Sequence, residues 1–294
     1  MKNYITLLFI FLMLPLICIA QEEDAEKKKV IDKPERPAFE SATLIDNPTN
    51  VLFNKGTFEV MMQHRFGTIK KHGNDLAGIY GAANIRIAVS YAVIDRITVG
   101  FGTTKDKRLQ DFNLKGALLR QTRSGKIPLS ISYYGNYTID ARTMDKTDDL
   151  TFLQDRYSYF NQIIFARRFT PEFSAFISPS ISHMNVVEEG MKNDMFGIAF
   201  GARYKVTPGT SIVLDYSQPL TKFDINNPNP GFSLGVEFGT SAHTFSIFAS
   251  NYKGIVPQYN YMYNQHDFFG TGANGNDGTP DILIGFNITR NYNF

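Results

Sequence analysis

The sequence predicts a closed, antiparallel transmembrane β-barrel of about twelve strands. Three observations lead to this fold class: an N-terminal export signal, a long series of segments in which apolar and polar residues alternate, and connections that alternate between short and long. The chain has 294 residues. Alternation with period two is typical of strands that have one apolar face.

The first 20 residues have the pattern of a secretory signal peptide. Lys2 supplies a positive charge, residues 5–19 are apolar, and Cys18-Ile19-Ala20 resembles a small-x-small cleavage site before Gln21. The apolar run is shorter than a membrane-spanning helix needs to cross the hydrocarbon core of a bilayer. We therefore expect the protein to be exported and to begin at Gln21.

Cys18 is the single cysteine of the chain, so the exported protein should have none. A lipid-anchored protein attached through Cys18 is the alternative, but Ile17 is bulky where such a site needs a small residue. Without cysteine, no disulfide, thiolate metal site or catalytic cysteine is expected. The near balance of 30 basic and 28 acidic residues gives no indication of nucleic-acid binding.

Residues 21–56 are predicted to precede the barrel as a periplasmic linker and candidate plug. Residues 21–37 are charged and contain prolines, which is typical of a loosely held linker. Residues 38–56 regain apolar character. We expect this second part to pack at the barrel mouth or inside it.

Residues 57–294 are predicted to form the barrel. Most of the candidate strands place apolar side chains on one parity and small or polar side chains on the other, and their lengths suit tilted strands that cross a bilayer. The facing of the segment 156–168 cannot be assigned from its pattern. The candidates are residues 57–66, 85–91, 97–102, 112–118, 127–139, 156–168, 173–184, 196–204, 211–217, 232–238, 244–250 and 282–294.

The predicted connections alternate strictly between long and short. The long or irregular ones are 67–83, 103–111, 140–155, 185–193, 218–230 and 251–281, and the short ones are 92–95, 122–126, 170–172, 207–210 and 239–242. Outer-membrane barrels have long extracellular loops and short periplasmic turns, whereas sandwiches with Greek-key crossings are less regular. We therefore expect both termini to be periplasmic and Phe294 to be read by the outer-membrane assembly machinery.

Charged residues of both signs fall on the parity that should face the barrel lumen. They could create a transverse field that selects small polar solutes. Alternatively, they could pair with one another and rigidify a closed interior. The candidates are Glu59, Arg65, Arg86, Lys115, Arg203, Asp215 and Glu237.

Three histidines, His64, His183 and His243, fall at strand ends on the apolar parity, where we expect them to contact the membrane interface. Their spacing does not suggest a metal site, and no cofactor is predicted. His183 with Asn185, or His64, could instead serve as the base of a lipid hydrolase, although no nucleophile motif accompanies them.

Several segments resemble an outer-membrane barrel family of unknown function that is common in Bacteroidota. The resemblance runs over most of residues 38–294 and implies a closed barrel without an established activity. The segments are QHRFG (63–67), AANIRIAVSYAVIDRITVGFG (82–102), KGALLRQ (115–121), FGIAFGARYKV (196–206) and IGFNITR (284–290).

The leading functional expectation is a narrow channel, or a structural and interaction component of the bacterial outer membrane, without catalysis. The expected partners are outer-membrane lipid, the assembly machinery and a small polar solute, and no nucleic acid. A lipid hydrolase and a soluble periplasmic β-protein are the two alternatives.

Overall fold

Twelve strands run in sequence along the chain in the computed structural model, which describes residues 32–69, 75–143, 152–272 and 278–293. The predicted signal peptide and Phe294 lie outside the described residues. The strands are β1 (Thr57–Thr68), β2 (Asn84–Ile94), β3 (Ile97–Thr104), β4 (Leu109–Leu119), β5 (Ser130–Asp140), β6 (Tyr157–Arg168), β7 (Phe173–Met184), β8 (Asp194–Thr207), β9 (Thr210–Pro219), β10 (Gly231–Gly239), β11 (His243–Ser250) and β12 (Leu283–Asn293).

The strands close into a single barrel, which confirms the predicted fold class. Each strand pairs with its sequence neighbours, and β1 pairs antiparallel with β12 from Thr57 opposite Asn293 to Thr68 opposite Leu283. This closure leaves no free strand edge, which a sheet in lipid requires because each unpaired backbone group costs several kcal/mol there.

Side chains alternate between the interior and the outer surface, as the period-two pattern predicts. In β1, for example, every second residue from Thr57 to Gly67 is buried. The outer surface carries many exposed large apolar residues, including Ile87, Phe112 and Phe200. Strand β6 gave no clear facing because its interior side is apolar too, with Phe160 and Ile164 pointing inward.

The two ends of the barrel differ in their connections, and we name them the short-turn end and the long-loop end. Several predicted strand boundaries are wrong by up to three residues, and the predicted strict alternation of long and short connections fails at β4: the connection 105–108 at the long-loop end is shorter than the connection 120–129 at the short-turn end. Residues 127–129 belong to the turn before β5 because Pro128 has no N–H for strand pairing, and Ile127 instead bonds with Thr122. Strand β4 starts at Leu109, so the β3–β4 connection is shorter than predicted.

Two segments fill the interior. The first is the plug, residues 38–53, which enters from the short-turn end: just before it, the Glu35 N–H donates to the carbonyl of Gln121 in the β4–β5 turn, and the Arg123 N–H of that turn donates to the carbonyl of Lys33. The second is helix α1 (Pro257–Tyr263), in the loop between β11 and β12. Among the described residues, no helix has the length and apolar character needed to cross a membrane.

Candidate functional site

The plug is anchored on Asp215, which points inward from β9. Its Oδ2 accepts hydrogen bonds from the backbone N–H groups of Ile45, Asp46 and Asn47 at 3.2, 2.8 and 2.9 Å. Its Oδ1 accepts one from Asn47 Nδ2 at 2.6 Å, and the same amide donates to Ser217 Oγ at 2.7 Å. One buried carboxylate therefore satisfies three consecutive backbone donors of the plug, which buried N–H groups require.

A second anchor joins the plug to the strands on both sides of the closing seam. Arg65 Nη2 donates to Asp46 Oδ1 at 3.0 Å and to the carbonyl oxygen of Ile45 at 3.2 Å, while Nη1 donates to Asn287 Oδ1 at 2.9 Å. Ser233 Oγ donates to the other carboxylate oxygen of Asp46 at 2.6 Å. Because Arg65 is fully buried, its charge needs this compensation.

Two further cations hold the ends of the plug. Lys115 Nζ donates to the carbonyl oxygen of Ala42 at 2.6 Å. Arg203 donates from Nη2 to Glu40 Oε1 at 2.8 Å and from Nε to Glu237 Oε1 at 2.7 Å. The wall therefore binds the plug through charged groups of β1, β4, β8 and β9.

Arg86 pairs with the wall rather than with the plug. Its Nε and Nη2 donate to the two carboxylate oxygens of Asp111 at 2.8 and 2.7 Å, and Nη1 donates to Gln63 Oε1 at 2.8 Å. The pair lies flat over Gly102, where a Cβ would come within 2.5 Å of both partners. The absence of a side chain at Gly102 thus keeps this ion pair against the wall.

Glu59 is the exception among the seven predicted lumen residues. Its carboxylate is buried on β1, and neither oxygen accepts a hydrogen bond from any described residue. Lys115 and Arg86 are the cations that act on it electrostatically. All seven predicted residues are buried inside the barrel, and six of them form hydrogen-bonded pairs.

Several partners of these charges were not foreseen. Asp111 falls in the predicted loop 103–111, whereas β4 begins at Leu109 and the parity of this strand places Asp111 inside. Asp46 and Glu40 lie in a segment without strand periodicity, so the sequence carries no signal that pairs them with Arg65 and Arg203.

The apolar side chains of the plug and α1 pack together on one side of the lumen. The apolar residues Phe39 and Leu44 of the plug belong to one buried cluster with Tyr261 and Met262 of α1. The opposing wall supplies Phe160, Ile164, Phe176, Met184, Met195, Ala199 and Val213, from β6 to β9. The other wall of the barrel, from β1 to β5, is polar and lined by small residues; we call it the polar wall, and the wall from β6 to β9 the apolar wall.

Three separate cavities lie against this polar wall, at the short-turn end, in the middle and at the long-loop end. A cavity of about 270 Å³ lies at the short-turn end, against Ala117 and Ser132. A small one of about 40 Å³ lies between the plug and Arg86, Lys115 and Tyr134. A third of about 420 Å³ opens at the long-loop end. The middle cavity, where the plug meets Lys115, is the smallest of the three.

The predicted histidines lie on the outer surface. His183 Nδ1 is 2.7 Å from Asp194 Oδ1, and its Nε2 is 3.2 Å from Asn185 Oδ1. His64 stacks on Phe286 with ring centroids 5.0 Å apart, and His243 stacks at 6.1 Å on the aromatic residue two positions later. None of the three belongs to a cluster that could hold a metal ion among the described residues.

Comparison with solved structures identifies porin-like barrels with the same fold. The NanC porin superposes with a TM-score of 0.51 at 8% identity, over 79% of this chain and 98% of that one. An outer membrane channel from Pseudomonas putida F1 superposes with a TM-score of 0.50 at 10% identity, over 82% and 97%. At these identities the likeness concerns the fold. A search of curated proteins found no match.

A family model described as "Membrane bound beta barrel domain (DUF5777)" matches residues 39–292. The match begins within the plug and ends in β12, so the plug lies inside the matched region together with all twelve strands. The chain therefore belongs to this membrane-bound β-barrel family, and its fold is that of an outer-membrane porin-like barrel.

Proposed function

We propose that the protein is a narrow outer-membrane channel for small polar solutes, closed by its plug, and that it performs no catalysis. The observation that carries this proposal is the asymmetry of the lumen. The apolar side chains of the plug and α1 pack on the apolar wall, while separate cavities lie along the polar wall, the middle one against Lys115 and Arg86.

The chemistry of the anchors suits a plug that can leave. Hydrogen bonds exchanged with water contribute only about 0.5–1.5 kcal/mol each in net terms. Asp215, Arg65 and Lys115 bind the plug mainly through its backbone groups. Water entering from the short-turn end can replace these contacts, so release costs less than opening an apolar core of the same size.

The orientation follows from the general architecture of outer-membrane barrels. Short turns face the periplasm in such barrels, and the plug enters from the short-turn end. We propose that the N-terminus is periplasmic and that the plug is released into the periplasm.

Deletion of residues 33–53 tests the channel proposal in planar bilayers. The intact protein should show rare or no openings, and the deletion variant should conduct steadily. Heat-modifiable migration on a gel should establish that each variant is folded. If the folded deletion variant gives no conductance, the channel proposal is wrong, and a structural or interaction role becomes the better account.

The arrangement at His183 supports the absence of catalysis. Both ring nitrogens already face side-chain oxygens, of Asp194 and Asn185, and Asn185 is fixed by donating to the Gln154 carbonyl. No nitrogen is left for a nucleophile. Turnover of a phospholipid by the folded protein that is lost in His183→Ala would overturn this part of the proposal.

A further inference from the structure

The cavity at the long-loop end is lined by more positive than negative side chains. Three lysines, Lys105, Lys107 and Lys253, line it, and Asp106 is the only acidic residue among its lining groups. The cavity, of about 420 Å³, lies between the start of β2, the β3–β4 turn and the loop that carries α1. Its charge therefore favours a negatively charged occupant.

The lysines of this cavity have few bonded partners. Lys105 Nζ donates to the carbonyl of Ala83 at 3.1 Å. Lys107 Nζ lies 4.7 and 5.2 Å from the ring centroids of Tyr259 and Tyr263. Within the part of the chain that the structure describes, neither Lys107 nor Lys253 forms an ion pair.

The acidic residues beside the cavity are already occupied. Asp140 binds Arg142 through both carboxylate oxygens, at 2.8 to 3.1 Å. Glu188 accepts a hydrogen bond from Asn226 at 2.8 Å. Each of these carboxylates already accepts a hydrogen bond from another side chain, and within the described residues neither forms an ion pair with a lysine of the cavity.

The position of Lys107 disfavours its charged form. Burial lowers the pKa of Lys107, and the charge of Arg142 lowers it further, against the opposite effects of Asp140, Asp106 and Glu188. The ammonium group is thus partly removed from water without a full counter-charge. An anion bound in the cavity would supply the missing charge.

We propose that this cavity is a binding site for a small organic anion that carries a carboxylate or phosphate group, held by Lys107 and Lys253. The two tyrosine rings beside Lys107 fix its side chain from one side, which leaves the remaining ammonium donors for the ligand. The site is separate from the plug anchors, and the proposal does not depend on whether the barrel conducts.

Calorimetric titration of the folded protein in detergent tests the proposal. The probes are succinate, its neutral diamide and inorganic phosphate, at low ionic strength. Succinate should bind and the diamide should not. Lys107→Gln and Lys253→Gln should each weaken succinate binding about tenfold, because each removes a charge-assisted hydrogen bond. Lys222→Gln removes the same charge from an exposed loop residue outside the cavity and should leave binding unchanged.

Three outcomes would overturn the site. These are no binding of either anion, equal binding of succinate and the diamide, or an equal effect of the Lys222 variant. Folding of every variant should be checked by heat-modifiable migration. Anion binding by the intact protein together with no conductance of the folded plug-deletion variant would refute the channel and leave the site standing, whereas conductance of that variant without anion binding by the intact protein would do the reverse.

Discussion

Asp215→Ala should release the plug from the lumen while the barrel itself stays closed. The substitution removes the only acceptor that the structure gives to the backbone N–H groups of Ile45, Asp46 and Asn47. The strand pairing of β9 with β8 and β10 uses backbone groups and is untouched. The effect should therefore appear in the plug and not in the wall.

The magnitude follows from the cost of buried donors without an acceptor. Such a group costs about 1–3 kcal/mol, and water that enters the space left by the carboxylate favours the lower end of this range. For the three backbone donors this gives about 3 kcal/mol, or roughly a hundredfold shift of the plug toward its released state.

Thiol labelling measures this shift directly. A Cys18→Ser, Ser41→Cys background places one thiol on the plug, at a position that is 5% exposed. In this background, Asp215→Ala should speed the reaction with a bulky maleimide roughly a hundredfold. The control is Ser211→Ala, on the same strand and the same inward face, because the Ser211 hydroxyl has no hydrogen-bond partner among the described residues. Equal labelling rates for Asp215→Ala and the control would refute the anchoring role of Asp215.

Three further outcomes are expected. Gly102→Ala should lower the stability of the barrel by about 1–3 kcal/mol, because the new Cβ collides with the Arg86–Asp111 pair. Gly116→Ala is the control and should leave stability unchanged, because its Cβ would meet only a carbonyl oxygen at 3.8 Å. Equal unfolding temperatures of the two variants would contradict this prediction. Tyr261→Ala removes a ring that stacks on the wall at 5.7 Å and should cost about 3–5 kcal/mol, so an unchanged unfolding midpoint in denaturant would count against the packing of α1. Burial, together with the nearby Lys253 charge, lowers the pKa of His266 below 6.5 against the effect of Asp281. Protonation of His266 therefore favours a state in which the loop between β11 and β12 has moved away from the barrel, which we call the undocked loop. Its docking should be complete above about pH 6.5 and weaken as the pH falls, seen as faster hydrogen exchange at residues 264–268, corrected for intrinsic rates, and absent in His266→Asn.

The barrel could be predicted from the sequence because its signals are local. Alternation within a strand and the length of a connection are both properties of neighbouring residues, and closure follows from the cost of free edges in lipid. Strand β6 shows where this reasoning stops. Its inward residues Phe160 and Ile164 are apolar because they pack on the contents of the lumen, which the alternation pattern of one strand cannot reveal.

The interior could be predicted only in part. Parity placed charges such as Arg65 and Asp215 on the inward side, but their partners depend on contacts far apart in the chain. Asp46, for example, bonds with Asp215 across 169 positions. Helix α1 has only seven residues, and its three tyrosines and one asparagine give no strong helical signal outside the lumen that holds it.

A reversible lock on the plug would test the central claim, that the plug closes a channel. Asn47 Nδ2 and Ser217 Oγ are 2.7 Å apart, so a short bifunctional thiol reagent with an internal disulfide can join the two cysteines of N47C/S217C and tie the plug to β9. In this variant, Asp215→Ala should allow the plug to leave only when the disulfide is reduced. Single-channel recording should show no conductance above background while the cross-link is intact, and steady openings after a reductant is added to the same membrane. Identical recordings before and after reduction, with the cross-link shown to form and break, would contradict the account.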